Sequence, residues 1–200
     1  MKRAFLLIQI FACFVGFGLA QELKAKLDEA ESAYSSGNLE EARFALQEAL
    51  REVNLMIARE VISLAPEQVD DMVVQSDQEQ VSGSGMGFAG IVISREYRSD
   101  LHSLTFEVIG DSPMLASITT LLNMPVIAMT DSDTKRIKVD GYKALMQLGG
   151  LNDSIPTVSV QLPFGSSLMS FSFYGYDDPK VVEQLTQLFP VREMIAKTEE

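Results

Sequence analysis

The apolar residues of this chain change period part-way along, from three or four to two. That change limits the fold more than any other feature of the sequence. Apolar residues spaced by three or four line one face of a helix, whereas strict alternation lines one face of a strand. Residues 22 to about 65 follow the first pattern, and residues from Phe88 onward follow the second. The chain is therefore read as α+β: an N-terminal antiparallel helical hairpin, then an antiparallel β-sheet covered on one face by two helices.

In the helical part, Leu23, Leu27, Ala30 and Ala33 mark one buried stripe, and Leu39, Ala42, Leu46, Ala49, Val53, Met56 and Leu64 a second. Between them Gly37 suits a left-handed helix end and Asn38 a cap. Glu40 and Glu41 then face the positive end of the next helix dipole. Pro66 ends the hairpin, giving it the span 21–66. Residues 67–87, polar over Gln75–Gln80 and glycine-rich over Ser82–Gly87, read as a linker.

Residues 88–200 read as the α+β domain. Ile91, Ile93 and Tyr97 belong to one strand, and Leu104, Phe106 and Val108 to the next. Asp111-Ser112-Pro113 opens a helix over Met114–Asn123, apolar enough to be largely buried. Arg136–Val139 and Tyr142–Leu148 read as one strand, bent or broken at Asp140-Gly141. A hairpin follows around Pro163–Ser166. Asp177-Asp178-Pro179 starts the last helix, with Val181, Val182, Leu185, Leu188 and Phe189 on its buried side. On the sheet's second face Ser159, Gln161, Ser170 and Ser172 are polar.

The first twenty residues point to export. Lys2 and Arg3 precede an apolar run, and Gly18-Leu19-Ala20 closes it with small residues, which places signal cleavage between Ala20 and Gln21. At about 14 residues the run is short for a spanning helix, so no stable membrane insertion is expected after cleavage. Cys13, the one cysteine of the chain, leaves lipid attachment as an alternative, although Phe11 is bulky where a lipoprotein signal wants a small residue. A periplasmic location is expected, with secretion as the alternative. Cleavage removes Lys2 and Arg3 but no acid, taking the net charge from −12 to −14. A chain this acidic, with no basic stripe, is not expected to bind nucleic acid. Without Cys13 the exported chain has no disulfide, no thiol nucleophile and no cysteine metal site.

Few residues suggest chemistry. Gly85-Met86-Gly87-Phe88-Ala89-Gly90 spells a dinucleotide fingerprint, but it precedes a strand instead of opening a helix, so no cofactor is expected. His102, the sole histidine, reads as a solvated turn residue. Asp131 and Asp133 lack the ligand spacing of a calcium loop. Ser112, Ser166 and Ser167 show no nucleophile elbow. No catalytic residue, cofactor or metal is assigned, and the chain is read as a non-enzyme.

Ala33–Ala42, with Leu46, Ala49 and Leu50, resembles a single tetratricopeptide repeat, over about 25 residues. That likeness implies a way for two helices to pack. A second copy, which a binding superhelix would need, is absent. The strand ending in Lys138-Val139-Asp140-Gly141-Tyr142-Lys143-Ala144, followed by a hairpin and a closing helix, resembles bacterial exported domains of unassigned role. At the level of topology it is similar to Mog1/PsbP-like sheets, a likeness that carries no site. Two functions follow as expectations. One is an envelope protein acting by protein–protein contact, with an unidentified envelope protein or a second copy of itself. The other is a carrier of a small apolar ligand. Met114, Leu115, Ile118, Leu122, Met124, Ile127 and Met129 form the candidate interaction or ligand surface, because this stretch is more apolar than a thin α+β layer requires.

Overall fold

A computed structural model describes residues 21–83, 90–124, 133–149 and 155–199. The leader, most of the glycine-rich segment, and the Ile127, Met129 and Asp131 positions lie outside the described residues. The chain splits into two compact units, Met1–Met56 and Ile57–Glu200, so the division falls inside the second helix and not at residue 66.

In the first unit, α1 (residues 21–35) and α2 (Leu39–Leu64) are joined by a tight turn. Gly37 takes φ +80°, a conformation that favours glycine. The Asn38 N–H then donates to the Ala33 carbonyl at 2.9 Å. The Asn38 side chain accepts from the Glu41 N–H and donates to the Glu41 carboxylate, so cap and first turn hold each other. The buried seam is alanine: Ala30, Ala33, Ala42, Ala45 and Ala49 are all at most 5% exposed. Leu46, expected in that seam, is instead 54% exposed, and Leu27 is 47% exposed. The reason is steric. Small side chains let two helices approach closely, and Leu46, one residue past Ala45, is turned about 100° away from the alanine row.

Among the described residues, the second unit is built on a nine-stranded antiparallel sheet in the order β1-β2-β4-β5-β9-β8-β7-β6, with β3 also paired to β4. Its long strands are β4 (Val92–Arg98), β5 (Ser103–Ile109), β6 (Thr134–Val139), β7 (Tyr142–Leu148), β8 (Thr157–Phe164) and β9 (Ser167–Tyr174). The segment expected as a linker supplies β1 (Gln68–Val69), β2 (Met72–Val74), a 3₁₀ turn (Ser76–Gln78) and β3 (Gln80–Ser82). Val69 and Met72 in it are fully buried. Val69 stands alone before Asp70-Asp71, and Met72, Val73 and Val74 after them run together without alternation, which is why the segment reads as linker. Likewise Thr134–Val139 and Tyr142–Leu148 are two strands of one hairpin, not one bent strand. Asp140 and Gly141, both at positive φ, turn the chain back.

Alternation along β4, β5, β8 and β9 puts Ile93, Tyr97, Leu104, Phe106, Val160, Phe171 and Phe173 on one face, where each is fully buried. The second half of α2 covers this face with Ala58, Val61 and Ile62, α4 (Pro179–Thr186) with Val182, and α5 (Val191–Glu199) with Val191, Met194 and Ile195. Helix α5 was not foreseen. Asp178 caps α4 by accepting from the Lys180 N–H, as its place before Pro179 suggested. Val181 and Leu188, expected to be buried, are 37% and 53% exposed. Phe189, between α4 and α5, stands with its ring 5.1 Å from Phe106, 4.9 Å from Phe171 and 6.0 Å from Tyr97.

Arg95 shares the core face and is 6% exposed. Its Nη2 lies 2.5 Å from the Glu79 carboxylate, and its Nη1 donates to the Ala65 carbonyl at the end of α2. The neighbouring Tyr97 hydroxyl donates to the Pro66 carbonyl at 2.8 Å. Helix α3 (Leu115–Asn123) lies on the opposite face, because Leu168 alternates with the core residue Met169 and packs with Ile118, Leu122 and Leu145. The helices therefore cover both faces of the α+β fold, not one. Only Ile118 and Leu122 of α3 are buried, against the expectation of a largely buried helix. Arg136 of β6 donates to the Leu121 and Met124 carbonyls and closes the C-terminus of α3.

Two outcomes test this packing. Phe189→Ala removes the ring shared by three others and is expected to cost about 3–5 kcal/mol in urea unfolding. A loss below about 1 kcal/mol would show that the ring is not a core element. Burial pushes the Tyr97 hydroxyl up to about 12, against the opposing pull of Arg95. The folded state therefore holds the proton that the unfolded chain gives up near 10.0. The stability from this group is complete below pH 10, and is lost as pH rises from there to about 12. Tyr97→Phe should make unfolding free energy fall less steeply across that window.

Candidate functional site

The candidate surface on α3 divides in the structure. Ile118 and Leu122 point into the sheet, Leu115 is half-buried, and Met114 and Met124 are 52% and 37% exposed. Ile118 and Leu122 pack directly with Leu145 and Leu168, so the space beneath this helix is filled by side chains.

A polar cluster that the sequence did not reveal lies at the turn between β4 and β5. The His102 Nδ1 is 3.2 Å from the Asp71 carboxylate, and the His102 ring stacks on Tyr176 with centroids 4.2 Å apart. The Tyr176 hydroxyl donates to the Asp70 carboxylate at 3.1 Å. His102 is therefore paired and stacked, not the solvated turn residue expected. Burial, reinforced by Asp70, pushes the Tyr176 hydroxyl far above its ordinary value. Partial desolvation pulls the Asp71 carboxyl up, but hydrogen bonds from Ser99 and His102 outweigh it and hold the group below its usual range. The members come from residues 70 to 176, and no spacing in the sequence connects them.

The hydrogen bonds of this cluster hold the turn between β4 and β5. Ser99 Oγ accepts from the His102 and Leu101 N–H groups, and its one proton has the His102 carbonyl and the Asp71 carboxylate as acceptors, so it is not directed at the imidazole. A nucleophilic serine needs its hydroxyl on the ring nitrogen opposite the carboxylate. Among the described residues no group of three or more His, Cys, Asp or Glu could hold a metal ion. Ser112 is buried and its Oγ accepts from the Met114 N–H, which makes it part of the turn into α3. Gly90 ends the glycine motif, and a Cβ there would lie 2.5 Å from the Gly110 carbonyl oxygen. Its missing side chain lets the ends of β4 and β5 approach.

The hairpin carries a different kind of feature. Leu39 is 65% exposed, Leu46 54% and Leu50 49% along α2, and on α1 Tyr34 is 70% exposed. Large apolar side chains left open in a group mark an interaction surface more often than a single exposed leucine does. The signal was present in the sequence, but alanine and leucine stripes one residue apart read as a single broad stripe. No helix among the described residues is long and apolar enough to cross a membrane. Comparison with protein-family models, curated proteins and solved structures finds no match.

His102→Ala loses an aromatic stack and a partly exposed hydrogen bond to Asp71, and is expected to cost about 1–2 kcal/mol. Tyr176→Phe keeps the stack and loses one hydrogen bond, at about 1 kcal/mol. Chemical denaturation checks both, and a His102→Ala variant as stable as the unmodified protein would contradict the stacking.

Proposed function

We propose that this protein is an exported, non-enzymatic envelope protein that acts through protein–protein contact, with the helical hairpin as its contact surface. The leader-like first twenty residues support export, to the periplasm in this reading. The observation that carries the contact reading is the exposed row of Leu39, Leu46 and Leu50 on α2. A resemblance of the hairpin to one tetratricopeptide unit adds support, since such a unit ordinarily stacks its outer face on another helix. The ligand-carrier reading has less support, because Ile118 and Leu122 fill the space between α3 and the sheet.

Site-specific photo-cross-linking in the producing cell tests the reading. A photoreactive residue at Leu46 is expected to give a discrete protein adduct in the envelope fraction, whereas one at Ser172 on the polar sheet face is not. Recovery of the protein from the cytoplasm, or equal labelling at the two positions, would contradict it.

A further inference from the structure

A basic run falls at the edge of the sheet. Strands β6 and β7 hold Lys135, Arg136, Lys138 and Lys143 between Thr134 and Lys143, with Asp140 the one acid among them, in a chain of net charge −12. Two of these cations are engaged. Lys135 lies 3.5 Å from the Glu183 carboxylate, and Arg136 closes the end of α3. Lys138 and Lys143 differ. They stand directly opposite each other in the register, both are exposed, and neither has an ion-pair partner among the described residues. Like charges at opposed positions destabilise a strand pair. A lysine on an edge strand deters unwanted pairing, which accounts for Lys138. Lys143 is on the inner strand β7, so edge protection leaves it unexplained, whereas an anion beside the pair relieves the repulsion.

We propose that β6 is a docking edge for an extended acidic segment of another protein, which adds to the sheet as a further strand and sets its carboxylates beside Lys138, with Lys143 one strand behind. The backbone is arranged for this. Among the described residues β6 has a strand on one side only. The Asp133 carbonyl accepts from the Leu148 N–H, so odd-numbered residues there bond β7, and Thr134, Arg136 and Lys138 direct their main-chain N–H and C=O groups outward. One side chain already uses this edge as a strand would. The Gln187 amide donates to the Lys138 carbonyl at 2.7 Å and accepts from the Asp140 N–H at 3.1 Å. In strand addition such main-chain bonds supply affinity, and the side chains supply specificity. Charge names the occupant. The rest of the chain is strongly acidic, so a broad anionic surface such as a lipid bilayer is repelled as it nears the basic edge. A single strand touches that edge alone, and salt screens the more distant acids from it over about 8–10 Å. This edge lies apart from the exposed leucines of α2 and does not rest on the contact reading of the helical hairpin.

Fluorescence anisotropy with a labelled peptide of alternating glutamate and valine tests the proposal, beside the same peptide with lysine in place of glutamate. The acidic peptide is expected to bind and the basic one is not. Binding should slow exchange of the Thr134, Arg136 and Lys138 amides, read by NMR. Lys143→Glu should weaken the acidic peptide about tenfold while leaving the fold at least as stable, since it turns a like pair into an opposite one. No binding of the acidic peptide at about 1 mM would overturn the proposal. So would equal binding of the two peptides, or affinity unchanged in Lys143→Glu. Binding that leaves those three amides unprotected would overturn strand addition. Capture of the protein by phosphatidylglycerol vesicles, with no binding of the peptide, would overturn the choice of a protein segment.

Discussion

The ring of Phe189 is the contact on which the second unit depends. It comes from the short connection between α4 and α5 and meets Phe106 of β5, Phe171 of β9 and Tyr97 of β4 within 4.9–6.0 Å. One face of an open sheet must be covered, and edge-on and tilted aromatic packing fixes the position of the cover as well as burying area. With Phe189 seated, Val182 on one side and Val191, Met194 and Ile195 on the other fall onto the same face. The connection is held from the sheet's edge too. The Gln187 side chain bonds the Lys138 carbonyl and the Asp140 N–H, and so occupies backbone groups of β6 that would otherwise be open.

The second constraint is the buried charge of Arg95. A guanidinium at this depth is tolerable only if its donors are met, and Glu79 and the Ala65 carbonyl meet them. Glu79 reaches it because residues 75–79 loop out between the two stretches that pair with β4. Arg95 and Tyr97 together bind the two carbonyls at the end of α2, so one strand fixes where that helix stops. The last turns of α2 are in this way part of the sheet's core, while its first turns belong to the hairpin.

Much of this was legible in the chain. Alternation located β4, β5, β8 and β9, and the Gly37-Asn38 turn and the Asp178-Pro179 helix start were readable because capping chemistry is local. What failed was what depends on distant partners. Val69 and Met72 gave no periodic signal, yet the sheet edge buries both completely. Leu46 belongs to a stripe adjoining the alanines, and only the closeness of two helices decides which stripe is inside. The pairing of His102 with Asp71 and its stack on Tyr176 span more than seventy residues and left no trace in local pattern. Ile127 and Met129, proposed with α3, lie outside the described residues.

The central claim is that α2 belongs to two units along its length: the alanine seam of the hairpin before Ile57, and the core of the sheet after it. Native-state hydrogen exchange along α2 tests this most directly. Amides of residues 58–65 should exchange only by global unfolding. Amides of residues 42–53 should exchange faster, through opening of the hairpin alone. Uniform protection along the whole helix would contradict the account.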